Sequence, residues 1–140
     1  MTPSPMVTLA IIKPDAVAAG HAGDILAHLE HAGFRLRAAR LVRLTTTQAE
    51  EFYAVHRERP FFRPLVTFMT SGPALALALE RDGAVAYLRE VIGATDPAEA
   101  QPGTVRRLYA QSKERNAIHA SDSPDTATRE VAFFFSEEFA

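Results

Sequence analysis

The sequence predicts an α+β sandwich, a four-stranded antiparallel sheet with helices on its faces. Three observations lead there. Four segments have strand character, and helical stripes fall between them rather than in one block. The length of 140 residues suits one core, since a chain of this size buries roughly two-thirds of its unfolded surface. Apolar residues at 47% and charged residues at 23% sit near the globular average, which excludes global disorder. One domain over residues 1–140 is expected, with no internal repeat, linker or low-complexity tract.

Each element has a local reason. Thr2 to Pro5 is a loose lead. Val7 to Ile12 is a short apolar run rich in β-branched residues, closed by Lys13-Pro14 because proline cannot donate to a ladder; it reads as a buried central strand. Between Gly20 and Ala32, the residues Ala22, Ile25, Leu26, Leu29 and Ala32 share one helical face, and Gly33 is the stop. Phe34 to Leu44 alternates, with Phe34, Leu36, Ala38, Val42 and Leu44 on one parity and Arg35, Arg37 and Arg43 on the other. A long half-buried strand is expected there, with Arg40 the exception on its apolar face. Thr47-Gln48-Ala49-Glu50 fits a capping box that opens a helix, and Pro60 ends that helix. A second short helix starts near Pro64 and stops at Gly72-Pro73.

Ala74 to Leu79 is ambiguous. Ala and Leu are the best helix formers, yet the strict alternation between Gly72-Pro73 and Asp82-Gly83 favours a strand. Val85, Leu88, Val91 and Ile92 form a helix stripe that Gly93 terminates. Ala94 to Thr104 holds Pro97, Pro102 and Gly103 and is expected to be a long exposed loop; in a small domain such loops are usually functional or mobile. Asn116 to His119 is a candidate short strand. Ser123-Pro124 signals the last helix, whose buried stripe is Ala127, Val131, Phe134 and Phe135. Two split β-α-β units around one sheet give this order, the ferredoxin-like βαββαβ sandwich.

Composition narrows the chemistry. The chain has no Cys, which excludes disulfides, thiolate metal sites and cysteine nucleophiles. No apolar run approaches the ~20 residues of a membrane span. Met1 to Met6 has neither a basic n-region nor an apolar h-region, so no secretory signal is expected and the location reads as cytoplasmic. A net charge of −2 gives no whole-molecule reason to expect a nucleic-acid or membrane binder. No Gly-rich phosphate loop and no Gly-x-Ser-x-Gly elbow is present.

Of the five histidines, His28 and His31 stand at i and i+3 without an evident third ligand, and read as exposed helix residues. His119 follows a strand-like step and precedes the polar turn Ala120-Ser121-Asp122-Ser123-Pro124. A ring there can project into a cleft, and imidazole can be a neutral nucleophile near pH 7, although a lone His in a turn is often structural. The cations add weight. Lys13 sits at the exit of the first strand, Arg89 before the long loop, Arg106 just after it, and Arg115 close to His119. Arg35, Arg37, Arg40 and Arg43 read as ordinary surface charge, or as an oligomer face. Phe61 and Phe62 are adjacent, so core packing on one helix face explains only one of them.

Several motifs stand in order: Ile12-Lys13-Pro14-Asp15-Ala16-Val17, His56-Arg57-Glu58-Arg59-Pro60-Phe61-Phe62, Ser71-Gly72-Pro73 and Gly93-Ala94-Thr95-Asp96-Pro97. Pro102-Gly103-Thr104-Val105-Arg106 and Asn116-Ala117-Ile118-His119-Ala120-Ser121-Asp122-Ser123 follow. From about Val7 to Phe135 the chain closely resembles the nucleoside diphosphate kinase family. The resemblance implies the same ferredoxin-like fold and transfer of the γ-phosphoryl group from a nucleoside triphosphate to a nucleoside diphosphate. It implies a ping-pong route through a phosphohistidine at His119, with Mg²⁺ held on the nucleotide phosphates rather than by protein ligands. Lys13, Arg89, Thr95, Arg106 and Asn116 would hold phosphates and ribose, and Phe61 would stack on the base. Tyr53 would line the site, while Ser121 and Glu130 would orient the imidazole. The family is oligomeric, so a homo-oligomer is implied, a hexamer or alternatively a tetramer, with Pro97 near its contacts.

Those roles suit the chemistry. Phosphoryl transfer needs placement and charge neutralisation, which a point-charge lysine and forked arginines supply. A stacked aromatic accepts any base. The departures are also definite. Ala16 and Ala120 replace family glycines, and Ala120 would be strained if its backbone needed a positive φ. Arg107-Leu108-Tyr109 replaces Gly-Asp-Phe, and Lys113-Glu114 stands where an apolar residue commonly covers the base. Two other readings follow: a nucleotide-binding module without catalysis, suggested by Ala120, and a single-stranded nucleic-acid binder, against which the net charge counts.

Overall fold

The computed structural model describes residues 6–135, so the lead expected at Thr2 to Pro5 lies outside the described residues. The strands are β1 (Val7–Ile12), β2 (Arg35–Val42), β3 (Ala74–Glu80) and β4 (Ile118–Ala120). They form a sheet of order β2-β3-β1-β4 in which every neighbouring pair is antiparallel. Each half of the chain therefore makes a split β-α-β unit, and the two interleave as the sequence predicts. The helices are α1 (Pro14–Ala18), α2 (Ala22–His31), α3 (Thr46–Phe52), α4 (Phe62–Met69), α5 (Ala84–Ile92), α6 (Val105–Tyr109) and α7 (Pro124–Phe135).

The central strands carry a core on each side. Leu9, Ile11, Ala74, Ala76 and Ala78 meet Phe52 and Tyr53, Val66 and Met69 of α4, and Phe134 and Phe135 of α7. On the other side, Ala10, Ile12, Leu77 and Leu79 meet Ile25 and Leu29 of α2 and Leu88 and Ile92 of α5. The alternation of Ala74 to Leu79 is thus a strand buried except for partly exposed Leu75, with small residues toward one layer and large ones toward the other.

Several expectations need correction. The strand at Arg35–Val42 carries a bulge between Leu36 and Ala38, so residues of one parity do not share one face. Phe34 packs with α2 and α5, while Ala38, Val42 and Leu44 pack on the opposite layer. As an edge strand β2 is also largely exposed rather than half-buried: Leu36 and Leu41 keep 40% and 63% of their surface. Arg40 is explained by its partner, since it donates to the Phe134 carbonyl of α7 at 2.8 Å. The capping box lies two residues earlier than expected. Thr45 is the N-cap and Gln48 supplies the reciprocal bond, and the helix ends at Phe52, well before Pro60. The segment 94–104 is not wholly exposed, because Ala100 and Thr104 are buried against Gly93. Gly93 has φ +90, and a Cβ there would lie 2.6 Å from Thr104 Oγ1, so both conformation and space require glycine.

Candidate active site

The site is built on β4 and the turn before it. Ile118 N–H donates to the Asn116 carbonyl at 2.9 Å, a three-residue γ-turn centred on Ala117. Ala117 has φ +75 and is the only non-glycine residue with positive φ among the described residues. Ala120 and Ala16 therefore take ordinary backbone conformations, and the strain considered for Ala120 does not arise. Both backbone groups of Ala117 are tied to the Lys-Pro-Asp segment: its carbonyl accepts from Lys13 N–H at 2.8 Å, and its N–H donates to Asp15 Oδ2 at 3.1 Å.

β4 alternates across the sheet. Ile118 and Ala120 face the α2 and α5 layer, which turns His119 toward α3 and α7. There His119 Nε2 lies 2.8 Å from Glu130 Oε1, and Ser121 Oγ donates to the same oxygen at 2.7 Å. Burial pushes the Glu130 carboxyl up, but the bonds and charge of His119, the Ser121 bond and the Arg129 charge together hold it below its ordinary value. Glu130 is therefore an ionised acceptor at neutral pH, which assigns the imidazole proton to Nε2. Nδ1 keeps its lone pair, with no hydrogen-bond partner among the described residues. The rings of Phe52 and Tyr53 stand edge-on to the imidazole, at centroid distances of 5.5 and 6.1 Å. The Tyr53 hydroxyl is buried without a hydrogen-bond partner among the described residues, and burial plus the Glu130 charge keep it a neutral phenol.

Cations close around the same strand. Arg106 donates to the Ile118 carbonyl at 2.7 Å and to the Gly93 carbonyl at 3.0 Å, and Arg89 reaches the Ala120 carbonyl at 3.5 Å. Two guanidinium groups thus hold the carbonyls of the residues on either side of His119. Lys13 Nζ donates to Asn116 Oδ1 at 2.8 Å, and Asn116 Nδ2 reaches the Thr95 carbonyl at 3.5 Å. Burial first, then the charge of Arg106, lower Lys13 to about 8, while Asp15 opposes the shift. Burial and Arg89 lower Arg106 to about 10, so it stays charged at neutral pH. Such a cluster, beside an unprotonated ring nitrogen, can receive a phosphate chain and present its terminal phosphorus to a nucleophile.

Of the residues expected in the site, Lys13, Tyr53, Arg89, Arg106, Asn116, His119, Ser121 and Glu130 are brought together. Thr95 joins through its carbonyl. Phe61 stands apart as the residue preceding α4, half-exposed, with its ring 5.1 Å from His56. Arg115 lies over the Phe68 ring, 5.7 Å from its centroid. His28 is half-buried on α2 and His31 is exposed. Two residues were missed. Phe52 reads as core, and nothing in its spacing says that its ring edge meets His119. Asp15 was quoted within a motif, but its partner lies 102 positions away.

The nucleoside diphosphate kinase family model matches residues 7–139. The chain is 56% identical to a nucleoside diphosphate kinase of Halorhodospira halophila over 131 residues, 94% of this chain and 93% of that one. The chain belongs to the nucleoside diphosphate kinase family. A Bordetella pertussis nucleoside diphosphate kinase is 55% identical, covering 93% and 92% of the two chains. Among solved structures, the Aquifex aeolicus nucleoside diphosphate kinase matches with a TM-score of 0.91 at 47% identity, over 93% of this chain and 94% of that one. A halophilic nucleoside diphosphate kinase from Halobacterium salinarum, solved in complex with CDP, matches at 0.88 with 40% identity, over 92% and 86%. The ferredoxin-like fold read from the strand pattern is thus the fold of nucleoside diphosphate kinases. The family departure at Arg107 has a local role here, since its side chain donates to the carbonyls of Ala98 and Ala100 at 3.3 and 3.5 Å, tying the loop before α6 to that helix.

Proposed function

We propose that this nucleoside diphosphate kinase works through a phosphohistidine at His119, moving the γ-phosphoryl group of a nucleoside triphosphate to a nucleoside diphosphate in two half-reactions at one site. In the first, the Nδ1 lone pair bonds the γ-phosphorus while the bond from that phosphorus to the β–γ bridging oxygen breaks, and the nucleoside diphosphate leaves with the electron pair. In the second, a β-phosphate oxygen of the acceptor bonds the same phosphorus and the P–N bond breaks, returning the pair to Nδ1. The observation that carries this reading is the Nε2–Glu130 bond, which fixes the proton on one nitrogen and leaves the other as nucleophile. As Nδ1 forms its bond the ring becomes cationic, and the Glu130 carboxylate stabilises that charge.

Lys13, Arg89 and Arg106 neutralise the phosphates, Asn116 and Thr95 position phosphate and ribose, and Phe61 gives a platform for the base. Tyr53 and Ser121 hold the histidine side of the site. The donor set, Lys13, Arg89, Arg106 and Asn116, suits phosphate oxygens rather than a metal ion, which fits a divalent metal carried by the nucleotide. Bound there, Mg²⁺ would neutralise phosphate charge, with its ligands drawn mainly from phosphate oxygens and water. The chain is taken to act as one domain in the cytoplasm and to assemble as a homo-oligomer, a hexamer or alternatively a tetramer. Leu36 and Leu41, exposed on edge strand β2, support an assembled state, and a sizing measurement separates the two forms. No helix among the described residues is long and apolar enough to cross a membrane.

Incubation with γ-labelled ATP is expected to give an acid-labile, alkali-stable phosphoenzyme that chases into added nucleoside diphosphate. Equal labelling of His119→Ala would overturn the assignment.

A further inference from the structure

We infer that Asp15 is a positioning residue for the phosphoryl transfer: its carboxylate holds Ala117 in the left-handed backbone conformation from which the chain enters His119. The inference rests on the phosphohistidine reading above and adds a residue to it.

Alanine at φ +75 is unfavourable for an L-residue and persists only where surrounding bonds over-determine it. Lys13 supplies two of the ties here, from its backbone N–H to the Ala117 carbonyl and from Nζ to Asn116. Asp15 supplies the third, and it is the one that takes the Ala117 N–H. Relaxing the turn would swing the Asn116 side chain off Lys13 and the Ile118 carbonyl off Arg106, and would move the His119 ring with them. The carboxylate is well placed to prevent this. Lys13 leads into Pro14 in the first helical position, so the fixed proline φ sets where Asp15 stands relative to the end of β1.

Asp15 is also expensive to keep. The residue is 7% exposed, it forms no ion pair among the described residues, and Oδ1 has no hydrogen-bond partner there. A buried carboxylate so poorly compensated is a net cost to folding unless its one bond does something that an apolar residue could not. Asp15 touches none of the atoms that react. Its effect runs through the Ala117 backbone, with a smaller contribution from facing the Lys13 ammonium.

The test uses the full chain and four variants: Asp15→Ala, Asp15→Asn, Ala117→Gly, and Asp15→Ala combined with Ala117→Gly. Asp15→Ala is expected to slow phosphoenzyme formation at saturating ATP by about 10- to 100-fold. Asp15→Asn keeps an acceptor oxygen and is expected to stay within about fivefold of wild type. Ala117→Gly relieves the positive φ, so in the Asp15→Ala background it is expected to restore about tenfold of the lost rate. If Asp15→Ala does not fold, Asp15→Ser, whose acceptor falls short, replaces it in both the single and the combined variant. An Asp15→Ala (or Asp15→Ser) enzyme that is phosphorylated at the wild-type rate would overturn the inference. So would a loss that Ala117→Gly does not repair, because a general structural defect has no reason to respond to that residue. Wild-type enzyme that forms no phosphoenzyme would instead remove the phosphohistidine reading itself.

Discussion

Replacing Glu130 tests how much the histidine depends on its anchor. Glu130 Oε1 accepts two hydrogen bonds, from His119 Nε2–H at 2.8 Å and from Ser121 Oγ–H at 2.7 Å. In Glu130→Gln the shape and an acceptor remain, and the charge is lost. Hydrogen bonds to charged groups contribute about 1.5–3 kcal/mol, against about 0.5–1.5 for neutral ones. The difference, about 1–1.5 kcal/mol, is felt when the ring becomes cationic and predicts a ~5- to ~13-fold slower phosphorylation. Glu130→Ala removes both bonds and leaves the Ser121 hydroxyl, 1% exposed, without its partner. With two groups orphaned at about 1–3 kcal/mol each, a loss of about 2–6 kcal/mol, or ~30- to ~25,000-fold, is expected. The assay is single-turnover labelling from γ-labelled ATP by quenched flow, with thermal unfolding run in parallel. Wild-type labelling rates in Glu130→Ala, or a Gln variant slower than the Ala variant, would refute the reasoning. The stability readout has its own sign. The Glu130 carboxyl is held below its ordinary value of 4.5, so its contribution is present above that pH and fades as the pH falls through the lowered value. The unfolding temperatures of wild type and Glu130→Gln are therefore expected to differ at pH 7 and to converge as the pH falls below 4.5.

Two further outcomes follow from the cation cluster and the base platform. Lys13 is lowered to about 8 in the free enzyme, so kcat/KM is expected to fall as the pH rises above about 8, while kcat at saturating nucleotide, where bound phosphate holds the ammonium charged, stays level to higher pH. A kcat/KM flat to about pH 10 would count against phosphate binding by Lys13. Phe61→Ala removes a stacking surface valued at about 1–3 kcal/mol, so KM is expected to rise ~5- to ~150-fold for purine and pyrimidine nucleotides alike. Its unfolding temperature should barely move, because the ring is 47% exposed; a base-selective effect, or none, would remove Phe61 from the binding surface.

β1, β2 and β3 were legible because they are six to eight residues long and have Gly or Pro close by, whereas β4 has three residues and overlaps only in part the candidate strand 116–119. What escaped has definite causes. α1 and α6 are five residues each, too short for a 3.6-residue stripe to register. Three threonines in a row each suit an N-cap, and Gln48 and Glu50 each suit the reciprocal position; only the path of the chain out of β2 chooses Thr45 with Gln48. The bulge after Leu36 shifts the register by one, which flips every later residue and defeats a parity argument. In the site, His119 and the cations stand at recognisable places in the sequence, at strand exits and loop ends. Glu130 came through family resemblance, because nothing local to α7 says that this glutamate meets a strand residue 11 positions earlier. Asp15 and Phe52 act through contacts that exist only once β1, β4 and α3 have docked.

The net charge of −2 pointed away from anionic ligands, and the arrangement of the cations shows why a sum of charges is the wrong quantity. Among the described residues Lys13, Arg89 and Arg106 form no ion pair with a carboxylate. Their partners are neutral: the Asn116 amide oxygen and the carbonyls of Gly93, Ile118 and Ala120. These bonds aim the cations without cancelling them. Each terminal nitrogen of Arg106 still has a second N–H beyond the carbonyl it holds, so aiming and phosphate binding need not compete. The same arrangement opposes folding, since Lys13 and Arg106 are both lowered by burial and by a neighbouring cation. A phosphate chain entering the cluster would relieve that repulsion and draw Lys13, at about 8 in the free enzyme, back toward full protonation. Strain held in the free enzyme would thereby be released on binding, which is how a mildly acidic chain could hold an anion beside the proposed nucleophile.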